Sequence, residues 1–174
     1  MENLMDKEEL LKLFRSRLAR DFILSDYYEG KKYTFVGQSS KEETKSFGLT
    51  ELTKRIVLVS DYEKMTAEKV KSAIEKLPVL ALSGFRSIAK NKTTVLLRVF
   101  LMKQIPFELI QQVRSFSFEK SEQGAFNYLV NAGVILVDLS NNMLYSNFVA
   151  ADFCHYFKII KPVEPKEELL PEQL

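Results

Sequence analysis

Arg55-Ile56-Val57-Leu58-Val59-Ser60-Asp61 is the stretch that decides how this chain folds. A strand with one wet face alternates apolar and polar residues. Four apolar residues in a row instead call for cover on both faces. Residues 93–102 repeat the signal: Val95, Leu96, Leu97, Val99 and Phe100, with Arg98 as the lone charge. Each run is followed by a polar loop and a helical pattern. Val70, Ile74 and Leu77 recur in 66–77, where Thr66 can cap the helix, and Leu109, Ile110, Val113 and Phe116 in 106–116. These two β-loop-α units share no residue-level identity, and two units fall short of the three that a repeat architecture needs.

Upstream, the chain reads as a helix and then a meander. Leu10, Phe14, Leu18 and Phe22 recur every four residues along and just past 6–21, and Asp6 with Glu9 has the spacing of a capping box. Segments 22–28 and 32–38 are predicted strands joined at Glu29-Gly30-Lys31, where Gly30 supplies the positive φ of a tight hairpin. Tyr33 and Phe35 are expected on one face, Thr34 and Val36 on the other. Strands at 45–49 and 55–61 complete an expected antiparallel meander of four. Pro78 is expected to end the second helix, because the residue before proline avoids helical geometry. Segment 79–92 reads as an irregular connection, and Pro106 opens the next helix at its favoured first position.

Downstream, 116–120 alternates apolar and polar residues, 126–130 and 133–139 read as two strands, and Ser140-Asn141-Asn142 as a hairpin turn back into 143–146. Residues 150–160 fit no single pattern. The expected fold class is α+β: a mixed, largely antiparallel sheet of about seven or eight strands with two or three packed helices. Expected core residues are Phe14, Leu18, Phe35, Ile56, Leu58, Ile74, Leu96, Val99, Ile110, Val113, Val134, Leu136 and Phe153. Three of the five prolines lie in 161–174. The expectation is one globular domain over 1–160 and a flexible Pro/Glu-rich tail over 161–174.

A chain of 174 residues suits one domain that buries roughly 70% of its unfolded surface. With 46% hydrophobic and 28% charged residues it is not a disordered chain. The balance of 25 basic against 23 acidic residues argues against nucleic acid as the default partner, without excluding a local patch. Cys154 is the only cysteine, so there is no internal disulfide and no thiolate cluster for zinc. Residues 1–13 lack the apolar run of a signal peptide, and no run of 18 apolar residues exists to span a membrane. The expected location is cytoplasmic.

Candidate chemistry is dispersed. Cys154 and His155 adjoin, but neighbours in sequence point apart, so direct activation of the thiol is not expected. Asp138 ends one apolar strand and Glu119-Lys120 lie in another. A divalent metal could be held by such a set, yet Glu and Lys in adjacent positions face opposite sides, and Asp138 before Ser140-Asn141 suits a turn. Asp61-Tyr62-Glu63 and Asp26-Tyr27-Tyr28-Glu29 fit strand ends. Arg86, Lys90, Lys92 and Arg98 form the most basic local stretch, the candidate nucleic-acid contact. The six glycines are scattered and make no phosphate loop.

Val95-Leu96-Leu97-Arg98-Val99-Phe100-Leu101, the helix end Val113-Arg114-Ser115-Phe116, Phe118-Glu119-Lys120, and Gly133 to Leu139 running on to Tyr145-Ser146-Asn147 carry a resemblance. Over about a third of the chain they are similar to an uncharacterised domain family of archaea and clostridia. The resemblance implies a prokaryotic source, archaeal before bacterial, and adds no site or activity.

The sequence therefore points to no catalytic residue, cofactor or metal. The leading expectation is a non-catalytic binding or assembly module, with another protein or a second copy as partner and no membrane. The alternatives are a nucleic-acid-associated protein using the 86–98 stretch and a metal-dependent hydrolase with a dispersed carboxylate site.

Overall fold

The computed structural model describes residues 6–44, 46–61, 63, 65–83 and 91–159. Strands β1 (Ile23–Tyr28), β2 (Lys31–Thr44) and β3 (Thr50–Ser60) form an antiparallel meander. The next two neighbours, β4 (Asn91–Met102) and β6 (Tyr128–Asp138), run parallel to β3. Parallel neighbours need long crossovers. Helices α2 (Ala67–Glu75) and α3 (Leu77–Ser83) supply the first. Helix α4 (Phe107–Ser115) and strand β5 (Phe118–Glu122) supply the second. The far side of β6 is shared: β5 pairs with its first half and β7 (Met143–Ser146) with its last.

The apolar runs are explained by two cores, one on each side of the sheet. Ile56, Leu58, Leu96, Phe100, Val134 and Leu136 pack with α2, α3 and α4. Their strand neighbours Val57, Val59, Leu97, Val99, Ile135 and Val137 pack with Leu10, Phe14 and Leu18 of α1 (Lys7–Leu18). Tyr156 and Phe157, from a 3-10 helix at Ala151–Phe157, complete that second layer. Successive side chains point to opposite faces, so burial on both faces demands an unbroken apolar run. Val57, Leu58 and Val59 are wholly buried, and each such side chain contributes about 1.5–3 kcal/mol.

The sheet is mixed and the fold α+β, as the pattern predicts, and the two β-loop-α units are β3–α2 and β4–α4 on adjacent strands. The Glu29-Gly30 turn carries φ of 48° and 74°, and Asn142 in the β6–β7 turn has φ 53°. Several details differ. No strand covers the described residues 46–49: β2 runs to Thr44, and Phe47 (φ 68°) and Gly48 (φ 71°) reverse the chain, so the meander has three strands. Lys45 lies outside the described residues. Pro78 does not end a helix; it sits in the first turn of α3, where its missing N–H costs nothing. The irregular connection thus begins with a helix, and the described residues contain four α-helices rather than two or three. Segments 126–130 and 133–139 merge into β6, whose Gly133 is set by packing: a Cβ there would lie 2.6 Å from Leu97 Cδ2 and 2.9 Å from Ala150 Cβ.

Smaller corrections concern caps and faces. Asp6 precedes α1 without a side-chain cap bond, whereas Thr66 Oγ1 accepts from the Lys69 N–H at 3.3 Å. Pro106 stands just before α4 rather than at its first helical position. Ile110 and Phe153 are only partly buried; the other expected core residues are buried. The β1–β2 register slips between Ser25 and Tyr27. Across this irregularity alternation fails: Tyr33 joins Val36 on the α2–α4 side, while Phe35 faces α1. No helix among the described residues is long and apolar enough to cross a membrane. The expected tail at 161–174 lies outside the described residues.

Candidate functional site

Turning Tyr33 to the α2–α4 side sets its ring beside Arg98. Arg98 lies mid-strand on β4, opposite Leu58 of β3 and Val134 of β6, and is only 7% exposed. Strands are about 4.8 Å apart, so its long side chain spans β3 to reach β2. The guanidinium carbon sits 4.8 Å from the centre of the Tyr33 ring and 4.6 Å from that of Phe100. Arg98 Nη1 donates to the Leu58 carbonyl at 3.2 Å. No described carboxylate pairs with it. Burial disfavours the charged form and pulls the guanidinium down to about 10.

A guanidinium carries five N–H donors. One bond to Leu58 leaves most of them free of protein partners, and none of the nitrogens without a bond is sealed from solvent. They open into a groove of about 840 Å³. The β1–β2 hairpin forms one wall with Glu29, Lys31 and Lys32; α2 and the joint to α3 form the other with Lys69 and Lys76. Thr34 and Ser60 line the end of the groove beside the sheet, and Met65, Val79 and Leu80 make an apolar side. Lys69 and Lys76 are seven residues apart, about 10 Å along a helix. Among the described residues five cations thus face one carboxylate, and none of the four lysines makes an ion pair with a described residue. Such a lining favours an anion and disfavours a cation.

The predicted basic stretch divides. Arg86 and Lys90 lie outside the described residues. Lys92 is half-buried at the start of β4, its pKa lowered by burial and by Lys54. Six residues of strand, about 20 Å, separate it from Arg98. The two share one face of β4, but Lys92 lies beside Tyr128 and Leu96 rather than in the groove above Arg98.

The dispersed carboxylates also stay apart. Asp138 is buried and caps its own turn, accepting from the Ser140 and Asn141 N–H groups and from Asn141 Nδ2. Glu119 is exposed on β5, opposite Asn131, seven residues of strand away from Asp138. Among the described residues no three His, Cys, Asp or Glu side chains gather as a metal site would require. Cys154 is half-buried with Sγ 3.7 Å from the Ala150 carbonyl. His155 is exposed; its Nδ1 lies 2.7 Å from the Asp152 carbonyl and its ring rests on Tyr156. Asp61 is buried and held by Lys7 at 3.2 Å, with Glu63 on the same lysine.

Lys31, Lys32, Lys69 and Lys76 were not legible as a set, because a hairpin and a helix bring them together from distant parts of the chain. The one available signal was Arg98 itself: a single charge inside an apolar strand that needs cover on both faces.

These features define a class: an α+β domain whose two-sided mixed sheet holds a buried arginine at the floor of a cationic groove. Residues 6–159 match the family model described as a domain of unknown function (DUF8052), and the chain belongs to that family. No curated protein and no solved structure matches it.

Proposed function

We propose that residues 6–159 form a non-catalytic binding module that takes a small anionic ligand into the groove above Arg98. The observation that carries this reading is Arg98: a charge buried to 7% exposure, without a described carboxylate, lining a lysine-rimmed groove. Leaving a charge in that position costs stability unless something compensates it. Two rings and one carbonyl compensate in part; an anion completes the set. The groove lining carries no His, Cys or Asp among the described residues, so it offers donors and positive charge rather than a nucleophile with its base. A reducing, cytoplasmic setting is consistent with the single free Cys154.

Calorimetric titration with inorganic phosphate, sulfate and pyrophosphate at low salt tests the reading. Saturable binding that Arg98→Met abolishes supports it. Absence of binding by all three anions, or equal binding by the variant, would exclude it.

A nucleic-acid reading takes second place, favoured by the four exposed lysines on the rim. It requires affinity for single-stranded oligonucleotides that falls steeply with salt. Affinity that stays flat with salt would end it.

A further inference from the structure

The groove is larger and more two-sided than a bare anion needs. Its volume of about 840 Å³ lies in the range of sites for whole organic ligands. One side of the lining is charged and one is apolar. Val79 stands 73% exposed on α3, with half-buried Met65 and Leu80 beside it in the same lining. Exposed apolar side chains are common singly, but here Val79 and its two half-buried neighbours share a groove with a buried arginine.

Building on the anionic-ligand reading, we infer that the ligand is an organic phosphate ester, its phosphate above Arg98 and its organic group along Met65, Val79 and Leu80. Two observations select phosphate over carboxylate. Among the described residues, five cations against Glu29 leave a surplus that a monoanion cannot neutralise and a phosphate monoester dianion answers better. The guanidinium keeps most of its donors, which match several oxygens at once. The apolar side selects an ester over the free ion, because an ester adds surface that water releases on burial. No covalent step is involved: the groove binds and orients.

The full chain is titrated with inorganic phosphate, phenyl phosphate and benzoate, and the titrations are repeated with Val79→Ser and Arg98→Met. Val79 is exposed, so its replacement leaves the fold intact and reports on the ligand alone. Phenyl phosphate should bind about tenfold tighter than either other probe. Val79→Ser should cut that advantage to about threefold and leave inorganic phosphate unchanged. Equal affinity for phenyl phosphate and inorganic phosphate would overturn the ester while leaving an anion site standing. Benzoate binding as tightly as phenyl phosphate would overturn the phosphate. Binding of none of the three, or binding that Arg98→Met leaves untouched, would overturn both this inference and the reading beneath it. Retention on vesicles containing phosphatidic acid, beside phenyl phosphate binding, would support the ester and place it on a lipid. Phenyl phosphate binding without retention supports a soluble ester.

Discussion

The side chain of Asn147 stands in for a strand segment beside Val134. Its Oδ1 accepts the Val134 N–H at 3.0 Å, and its Nδ2 donates to the carbonyls of Ala132 (3.2 Å) and Phe116 (3.3 Å). Asn147 is 3% exposed and sits where β5 has ended and β7 has not yet begun along β6. A buried backbone group without a partner is costly, and one amide with donor and acceptor answers three of them.

Asn147→Ala should therefore destabilise the protein by about 2–3 kcal/mol, since three backbone groups, in two buried bonds and one part-buried one, lose their partner at once. Urea unfolding monitored by circular dichroism measures it. Asn147→Asp should fare no better, because a carboxylate cannot donate to the two carbonyls. A loss below about 0.5 kcal/mol for both would show that water replaces the amide freely.

Gly133→Ala tests the close approach between β6 and the chain at Ala150. The added Cβ meets Leu97 Cδ2 at 2.6 Å, Ala150 Cβ at 2.9 Å and the Ala150 nitrogen at 3.1 Å. Overpacking against backbone should cost about 1–3 kcal/mol. Gly124→Ala is the matched control, with nothing within 4 Å of its Cβ, and its unfolding midpoint should stay with the parent.

Arg98→Met should separate stability from binding. The variant replaces a buried charge by an apolar chain of similar length and so removes the desolvation penalty of that charge. It forfeits the Leu58 bond and the ring contacts, so the expected outcome is a melting temperature equal to or above the parent, with anion-induced stabilisation gone. A large drop in melting temperature would mean that the guanidinium is a structural strut rather than a ligand anchor.

Alkaline pH should unfold the protein through its tyrosines. Tyr28 is pushed up to about 12 by burial, then by Glu29. Tyr156 is pushed up to about 12 by burial and by its hydrogen bond to Asp21. A free tyrosine titrates near 10. The folded value lies above the unfolded one, so this stability is fully present below about pH 10 and is lost as pH rises toward 12. Tyr156→Phe should flatten the fall in unfolding midpoint over that window. An unchanged slope would remove Tyr156 from the account.

Arg98 acts in the opposite sense over the same range. Its folded value, about 10, lies below that of a free guanidinium, so its charge opposes folding at neutral pH and the penalty shrinks as pH rises. Arg98→Met should steepen the alkaline loss relative to the parent, because that partial relief disappears. Parallel pH profiles for parent and variant would show that the guanidinium carries no such penalty.

The sequence by itself determined the architecture in outline. The runs 56–59 and 95–100 demanded cover on both faces, and the helical stripes of Leu10, Phe14 and Leu18, of Val70 and Ile74, and of Leu109 and Val113 supplied it. Local chemistry at Gly30, Thr66 and Asn142 was legible because a turn or a cap depends on a few adjacent residues. Boundaries that depend on partners were not. Whether 45–49 continues a strand is settled by the ladder reaching Thr44 and Thr50, and whether 126–139 is one strand or two by β4 beside it. Tertiary structure alone decided the groove. Arg98 was visible as an anomaly, but its environment comes from a slip in β2 that turns Tyr33 toward it and from lysines some forty residues apart on a hairpin and a helix. Periodicity reports which face a residue occupies; it carries no information about which distant side chains share that face, because that distance is set by chain crossovers and strand register rather than by local propensity.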